Sequence, residues 1–343
     1  MGVQISDIIP RKEIELNDLK GKIIAIDAMN TLYQFLTTIR QIDGTPLKDN
    51  KGNTTSHLSG LFYRNINLLT RGIKLVYVFD GKPNKLKGVE ISRRKELKRK
   101  AEEKYNEAKS NKDLKEMRKY SQQFVKITDE IISDSKKLLS ALGIPVIESI
   151  GEGEAEAAHQ VINNNAWASA SQDYDSLLYG TPLLIRNLTL SRKRKSSNGL
   201  YIDTKIELVD LEKLLKKLEI SQEQLICLGI LVGTDFNPGG VRGIGQKRAL
   251  EIVKKNKTPV EIFKKIENSE KYELAFNWKE IFEEFKRYND KKREKLEFKK
   301  PNKEKIKEIL LKHDFSENRI LSGLLRLDAA EEEKKQKGLN EFF

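Results

Sequence analysis

Short apolar runs rich in β-branched residues, each followed by a helical pattern, constrain this chain more than any other feature. They are KIIAID (22–27), KLVYVFD (74–80), GIPVIES (143–149), NAWASASQD (165–173) and PLLIRNL (182–188). This alternation belongs to a parallel sheet covered by helices on both faces, so the predicted fold class is α/β, with a mainly parallel central sheet. Three of the runs close on an aspartate: Asp27, Asp80 and Asp173. In open α/β sheets ligands sit beyond the carboxyl ends of the strands, which places all three in one pocket. A single strand-end aspartate is commonly a helix cap. Three together fit that explanation poorly.

Further acids extend the pattern. In GEGEAEA (151–157) small residues separate Glu152, Glu154 and Glu156. An acidic helix start is one reading, since the helix N-terminus favours negative charge. The other is metal ligation, with Glu152 and Glu154 sharing a site if they straddle the boundary between loop and helix. Asp175 points the same way as Asp173 if the backbone stays extended there. Asp235 ends the apolar run ICLGILVGTD. Asp27, Asp80, Glu152, Glu154, Asp173, Asp175 and Asp235 make seven crowded carboxylates that repel one another and raise each other's pKa values, so their convergence implies bound cations. With no His or Cys nearby, Mg²⁺ or Mn²⁺ is favoured over zinc. Two such ions suit hydrolysis of a phosphodiester. The three histidines, His57, His159 and His313, have no dyad-like spacing and read as ordinary surface or core residues.

The ligand that the charge favours is a polyanion: 64 Lys plus Arg against 51 Asp plus Glu give a net charge of +13. Nucleic acid is the first candidate. No run approaches a membrane span and no apolar leader opens the chain, so a soluble intracellular protein with no membrane partner is expected. The single Cys227 lies in an apolar stretch and reads as a buried thiol.

Three segments would contact such a ligand. In FNPGGVRGIGQKRALEIVKK (236–255), Gly240, Gly243 and Gly245 allow a tight hairpin before a helix, with Arg242, Lys247 and Arg248 supplying charge. This is the helix-hairpin-helix pattern, which grips backbone phosphates without reading bases. From Lys82 to Lys119 basic residues dominate, and the apolar stripe thins to Leu97, Ala101, Tyr105, Ala108, Leu114 and Met117. Two helices with so little to bury project from the core. Lys87 and Arg94 stand two helical turns apart on one face, just beyond Asp80, where they can steer phosphates. SRKRKSSNG (191–199) is a further basic loop. The polar segment before the end reads as disordered. Beyond it Gln336, Leu339, Phe342 and Phe343 are spaced as anchors for a partner's groove.

With the motifs IDAMNTLYQFL, YVFDGKPNKLK, GEGEAEAA, SQDYDSLLYG, LVGTDFNPGGVRGIGQKRAL and QKGLNEFF in place, the chain resembles the flap endonucleases of the structure-specific 5′ nuclease family, the archaeal members more than the eukaryotic. The resemblance implies a nuclease domain over 1–325, with a helical arch at 82–135 and the helix-hairpin-helix at 226–260, then a flexible tail at 326–343. It implies that Asp27, Asp80, Glu152, Glu154, Asp173, Asp175 and Asp235 hold two Mg²⁺ ions, with Mn²⁺ able to substitute, and that Glu156 is not a ligand. Lys87 and Arg94 correspond to residues that position the scissile phosphate, and Tyr33 to an aromatic on which a base stacks. The hairpin would also take a monovalent cation such as K⁺. The motif at 336–343 resembles the tag for a sliding clamp of the proliferating cell nuclear antigen type. The implied protein is a cytoplasmic monomer that cuts branched DNA bearing a 5′ flap during Okazaki fragment maturation and repair, with 5′–3′ exonuclease activity alongside. A clamp-tethered DNA scaffold without catalysis is the alternative, although such a scaffold would be expected to lack some of the seven carboxylates.

Overall fold

The structure is a computed structural model and describes residues 2–82, 84–190, 193–195, 201–287 and 296–340. Its strands are β1 (Lys12–Ile14), β2 (Ile23–Asp27), β3 (Lys74–Phe79), β4 (Val146–Glu148), β5 (Ala168–Ala170), β6 (Leu183–Arg186), β7 (Lys193–Lys195), β8 (Tyr201–Asp203) and β9 (Ile206–Asp210). Seven of them form one sheet in the order β1-β9-β6-β5-β2-β3-β4. Neighbours from β6 across to β4 are parallel, and β9 and β1 add an antiparallel edge. The basic 191–199 segment contains β7, which pairs with β8 in a separate two-stranded ribbon.

The apolar runs are continuous because the central strands are covered on both faces. Along β2, Ile24 and Ile26 join Leu75, Tyr77 and Phe79 beneath the helices Ala28–Thr38 and Ser56–Leu69. Ala25 points the other way, with Val76 and Val78, against Ala157 and Val161 of the helix Gly153–Ile162. The chain continues from β2 through β3 to β4 on one side, while β5 and β6 lie on the other. This reversal opens a crevice at the carboxyl end of β2, where Asp27 stands.

One contact fixes the helix that follows Asp27. A Cβ added to Gly60 would lie 2.3 Å from the Phe35 ring, so the two helices approach at the thickness of a glycine. Gly60→Ala is expected to overpack this contact and cost about 1–3 kcal/mol, read as a lower denaturant midpoint at unchanged slope. An unchanged midpoint would show that Phe35 repacks freely.

The charged helices Gly88–Ser110 and Leu114–Ser121 pack on each other and bury little: Ala101, Ala108 and Met117 face inward, whereas Leu97 and Leu114 are 51% and 59% exposed. The expected apolar stripe is therefore narrower than the sequence suggests. Helices Gln222–Val232, Gln246–Lys255, Pro259–Glu267 and Trp278–Lys286 gather around a second part of the core that contains the buried Cys227. The polar segment expected to be disordered is instead helical, within Glu317–Asn340, since its Glu, Lys and Gln residues are good helix formers. Among the described residues no helix is long and apolar enough to cross a membrane.

Candidate active site

The carboxyl ends of the strands deliver the acids. Asp27 ends β2 and caps the next helix, accepting the Asn30 N–H at 3.0 Å. Asp80 follows β3 and accepts the Gly153 N–H at 2.7 Å. Glu152 stands immediately before the helix Gly153–Ile162, and Glu154 is in its first turn, so the pair spans the boundary and both reach the site. A Cβ on Gly153 would come within 2.8 Å of the Asp80 carboxylate and 3.2 Å of the Val78 carbonyl oxygen, so a side chain there would displace Asp80 where helix and strand end meet.

Beyond β5, Asp173 accepts the Gly2 N–H at 3.0 Å and the Asn30 Nδ2 at 2.8 Å. Asp175 is not in extended backbone, as the sequence reading assumed; it opens the short helix Asp175–Leu178. Its carboxylate still turns to the site and accepts the Val3 N–H at 2.6 Å. Asp235 follows the helix Gln222–Val232 and receives a forked pair of bonds from Arg94 at 2.7 and 2.8 Å.

Electrostatics bind these residues into one site. Burial pushes the Asp27 carboxyl well above its ordinary range, and Asp80 and Asp173 push it further. Burial does the same to Glu154, reinforced by Asp175, Asp27 and Asp173. Asp175 is pushed up to about 7 by burial, then by Asp173 and Asp235. Burial also raises Glu152, with Lys87 opposing it. Burial works against the charge on Lys87, but Glu152 and then Asp235 outweigh it and raise its pKa. Lys87 pairs with Glu152 and lies 3.6 Å from Asp235. It closes a short 3₁₀ turn, Lys85–Lys87, ahead of the long helix rather than sharing a face of that helix with Arg94. Both cations nevertheless converge on Asp235, because the turn leads directly into the helix.

Among the described residues no three acids, histidines or cysteines are closed around one point as a finished ligand shell. The carboxylates are held instead by backbone and side-chain amides, by the Ser171 hydroxyl and by Lys87 and Arg94. The donor set nonetheless fits a hard divalent ion: every candidate donor atom is a carboxylate oxygen, and burial with mutual repulsion favours anything that brings in positive charge. Glu156 is buried on another side of its helix, where it accepts the Gln160 Nε2 at 2.8 Å. All three histidines are buried; His159 faces Asn163 and Glu156, and His313 faces Asp49 and Asp134, away from these acids.

Most of the other expected residues stand on separate elements. Tyr33 is 40% exposed on the helix begun by Asp27. In the hairpin, Gly240 and Gly243 adopt φ of +57° and +84°, and a Cβ on Gly240 would meet the Leu231 carbonyl oxygen at 2.4 Å. Gly245 is the N-cap of the helix Gln246–Lys255 and offers no side-chain acceptor to its first-turn N–H groups. Arg242, Lys247 and Arg248 are exposed at that end. Gln336 is exposed on the last helix and Leu339 belongs to the same helix, while Phe342 and Phe343 lie outside the described residues.

Several residues that hold the acids in place have no counterpart in the sequence reading. Asn30 bridges two acids, and Ser171 donates its Oγ to Glu154 at 2.6 Å. Arg186 holds the loop carrying Asp173 by bonding the Gln172 carbonyl at 3.2 Å and the Tyr174 hydroxyl at 2.6 Å. The one available signal was the Asp27-x-x-Asn30 spacing, which suits a helix start.

An acidic crevice at a topological switch point, flanked by lysine and arginine and by a helical hairpin, defines a metal-dependent nuclease. The XPG N-terminal domain matches residues 1–102 and the XPG I-region matches 143–235. Flap endonuclease 1 of Pyrococcus abyssi is 51% identical over 345 residues, covering 100% of this chain and 98% of that protein. The Sulfolobus acidocaldarius flap endonuclease 1 is 49% identical, covering 100% and 99%. Flap endonuclease-1 from Methanococcus jannaschii superposes with a TM-score of 0.75 at 40% identity, covering 97% of this chain and 100% of that one. The Rad2 catalytic core, solved with a DNA substrate, shares the fold at a TM-score of 0.68 and 22% identity. The chain belongs to the flap endonuclease 1 family, and its activity is that of a structure-specific 5′ flap nuclease that depends on a divalent metal.

Proposed function

We propose that Asp27, Asp80, Glu152, Glu154, Asp173, Asp175 and Asp235 hold two Mg²⁺ ions, with Mn²⁺ able to substitute, at the point where the flap strand is cut. The carrying observation is the placement of buried acids beyond separate strands of one sheet, Asp27 after β2, Glu154 after β4 and Asp175 after β5, all three close enough to Asp173 to be raised by its charge. When bound, such ions lower the pKa of water and offset charge on the leaving oxygen. Lys87 and Arg94 receive the scissile phosphate. Both already pair with carboxylates of the site, so the phosphate displaces a charge partner they have rather than desolvating a bare cation. Arg94 suits this role through its planar fork, and Lys87 through a compact charge.

Tyr33 presents a ring on which a base stacks, a contact indifferent to sequence. The helices between 82 and 135 form the arch that admits the 5′ single strand. Duplex DNA rests on the hairpin at 226–260, where Gly240, Gly243 and Gly245 let backbone amides approach a phosphate and Arg242, Lys247 and Arg248 add charge. The carbonyls of this turn take a K⁺ ion. Gln336, Leu339, Phe342 and Phe343 tether the enzyme, as a cytoplasmic monomer, to a sliding clamp. Specificity comes from branch shape because these contacts address backbone and stacking surfaces.

A 5′-labelled double-flap DNA incubated with Mg²⁺ is expected to give one cut at the junction, with single-stranded and blunt controls largely intact and EDTA abolishing the reaction. Tight flap binding without cleavage, unaffected by EDTA, would favour the scaffold reading instead.

A further inference from the structure

We propose that Asn30 is a positioning residue for the metal site, acting as a tie between the carboxylates at the ends of two adjacent strands. The proposal rests on the metal-site reading above. Asn30 lies in the first turn of the helix that starts after β2, and its backbone N–H donates to Asp27 Oδ1 at 3.0 Å. Its side chain crosses to the neighbouring strand. Nδ2 donates to Asp173 Oδ2 at 2.8 Å, and Oδ1 accepts the Gln172 N–H at 3.3 Å.

The second bond fixes the first. A backbone N–H can only donate, so the amide atom facing Gln172 is the oxygen and the NH₂ is aimed at Asp173. Asp173 then has a donor on each oxygen, Gly2 N–H on Oδ1 at 3.0 Å and Asn30 on Oδ2. Its rotation is set, and each oxygen keeps a free lone pair for a cation. Because β2 and β5 are hydrogen-bonded neighbours, the tie fixes the separation of Asp27 and Asp173 to the length of one side chain. A neutral donor suits this position. A cation there would compete with metal, while an apolar residue would leave Gln172 N–H and Asp173 Oδ2 without their partner.

The test is calorimetric titration of Mn²⁺ into full-length wild type, Asn30→Leu, Asn30→Ser and Asp173→Ala, alongside single-turnover flap cleavage, flap binding in EDTA and metal-free melting. Asn30→Leu is expected to weaken Mn²⁺ binding and slow cleavage at saturating DNA by about 10–100-fold, the usual loss for a partner that orients a ligand. Flap affinity in EDTA should stay within twofold. Asn30→Ser, which keeps a shorter donor, should fall between. If Leu destabilises the metal-free fold, the Ser variant carries the comparison. Mn²⁺ affinity and rate within twofold of wild type in both Asn30 variants would overturn the proposal. Asp173→Ala separates the two readings. Should it alone lose Mn²⁺, the tie fails and the metal site stands; should it too bind Mn²⁺ like wild type, the assignment of Asp173 as a ligand fails.

Discussion

Asp173→Ala is expected to reduce flap cleavage by more than about 10³-fold, beyond the ~10–100-fold that follows loss of a ligand's hydrogen-bond partner. Two effects on the fold oppose each other. The Gly2 N–H and the Asn30 amide lose their acceptor, which costs about 1–3 kcal/mol for each donor left buried and unpaired. Against this, Asp173 is among the charges that push up Asp27, Glu154 and Asp175, so its removal relieves repulsion in a buried cluster. Global stability without metal should therefore change little. Flap binding in EDTA should hold or tighten, because one negative charge facing a phosphate chain is gone while Lys87 and Arg94 keep their places. Single-turnover rates and equilibrium binding measured on the same preparation check both halves. A variant that cuts within tenfold of wild type would remove Asp173 from the site, and one that fails to bind DNA would make its role structural.

The acids were legible because they end apolar runs. Asp27, Asp80 and Asp173 needed only strand periodicity and the rule that ligands lie beyond carboxyl ends. Glu152 and Glu154 needed the two glycines that mark a loop entering a helix, which is where the structure puts the boundary. The residues that aim them were not legible. Asn30 meets Asp173 across 143 positions, and Gly2 meets it across 171, so no local pattern records either bond. The antiparallel edge escaped for a different reason. β1 is three residues long, with two exposed, and offers no run to recognise. Helical pairing was also misjudged at the arch: spacing put Lys87 and Arg94 on one helix, yet Lys87 lies in a 3₁₀ turn, and only tertiary packing brings both to Asp235. The tail shows propensity prevailing over composition, since a segment polar enough to read as disordered is also rich in helix formers.

Metal-free protein is expected to lose thermal stability as pH rises from 6.5 to 8, and Mg²⁺ is expected to restore more of it at pH 8 than at 6.5. Asp175 is pushed up to about 7, and Asp27 and Glu154 stand well above the ordinary carboxylate range. In the unfolded chain the same groups lose their protons near pH 4. Between those limits the folded state binds more protons than the unfolded one, so the unfolding free energy falls as pH rises. The contribution is fully present below about pH 4 and is lost as pH passes through the folded values. His57 works in the opposite sense: burial pushes it down to about 4, so folding gains stability as pH climbs from there toward the ordinary histidine value. The His57 gain has half its slope at about 6.5 and is nearly level by about 7.5, so within this window it offsets only the early part of the loss from the carboxylates. Mg²⁺ binds the deprotonated carboxylates of the folded state, so its stabilisation grows as those protons leave. Melting curves in EDTA and in saturating Mg²⁺ across this window measure both slopes. A flat metal-free curve, or an equal Mg²⁺ gain at both ends, would mean that the buried acids are already neutralised by Lys87 and Arg94 and that repulsion among them is not what recruits the metal.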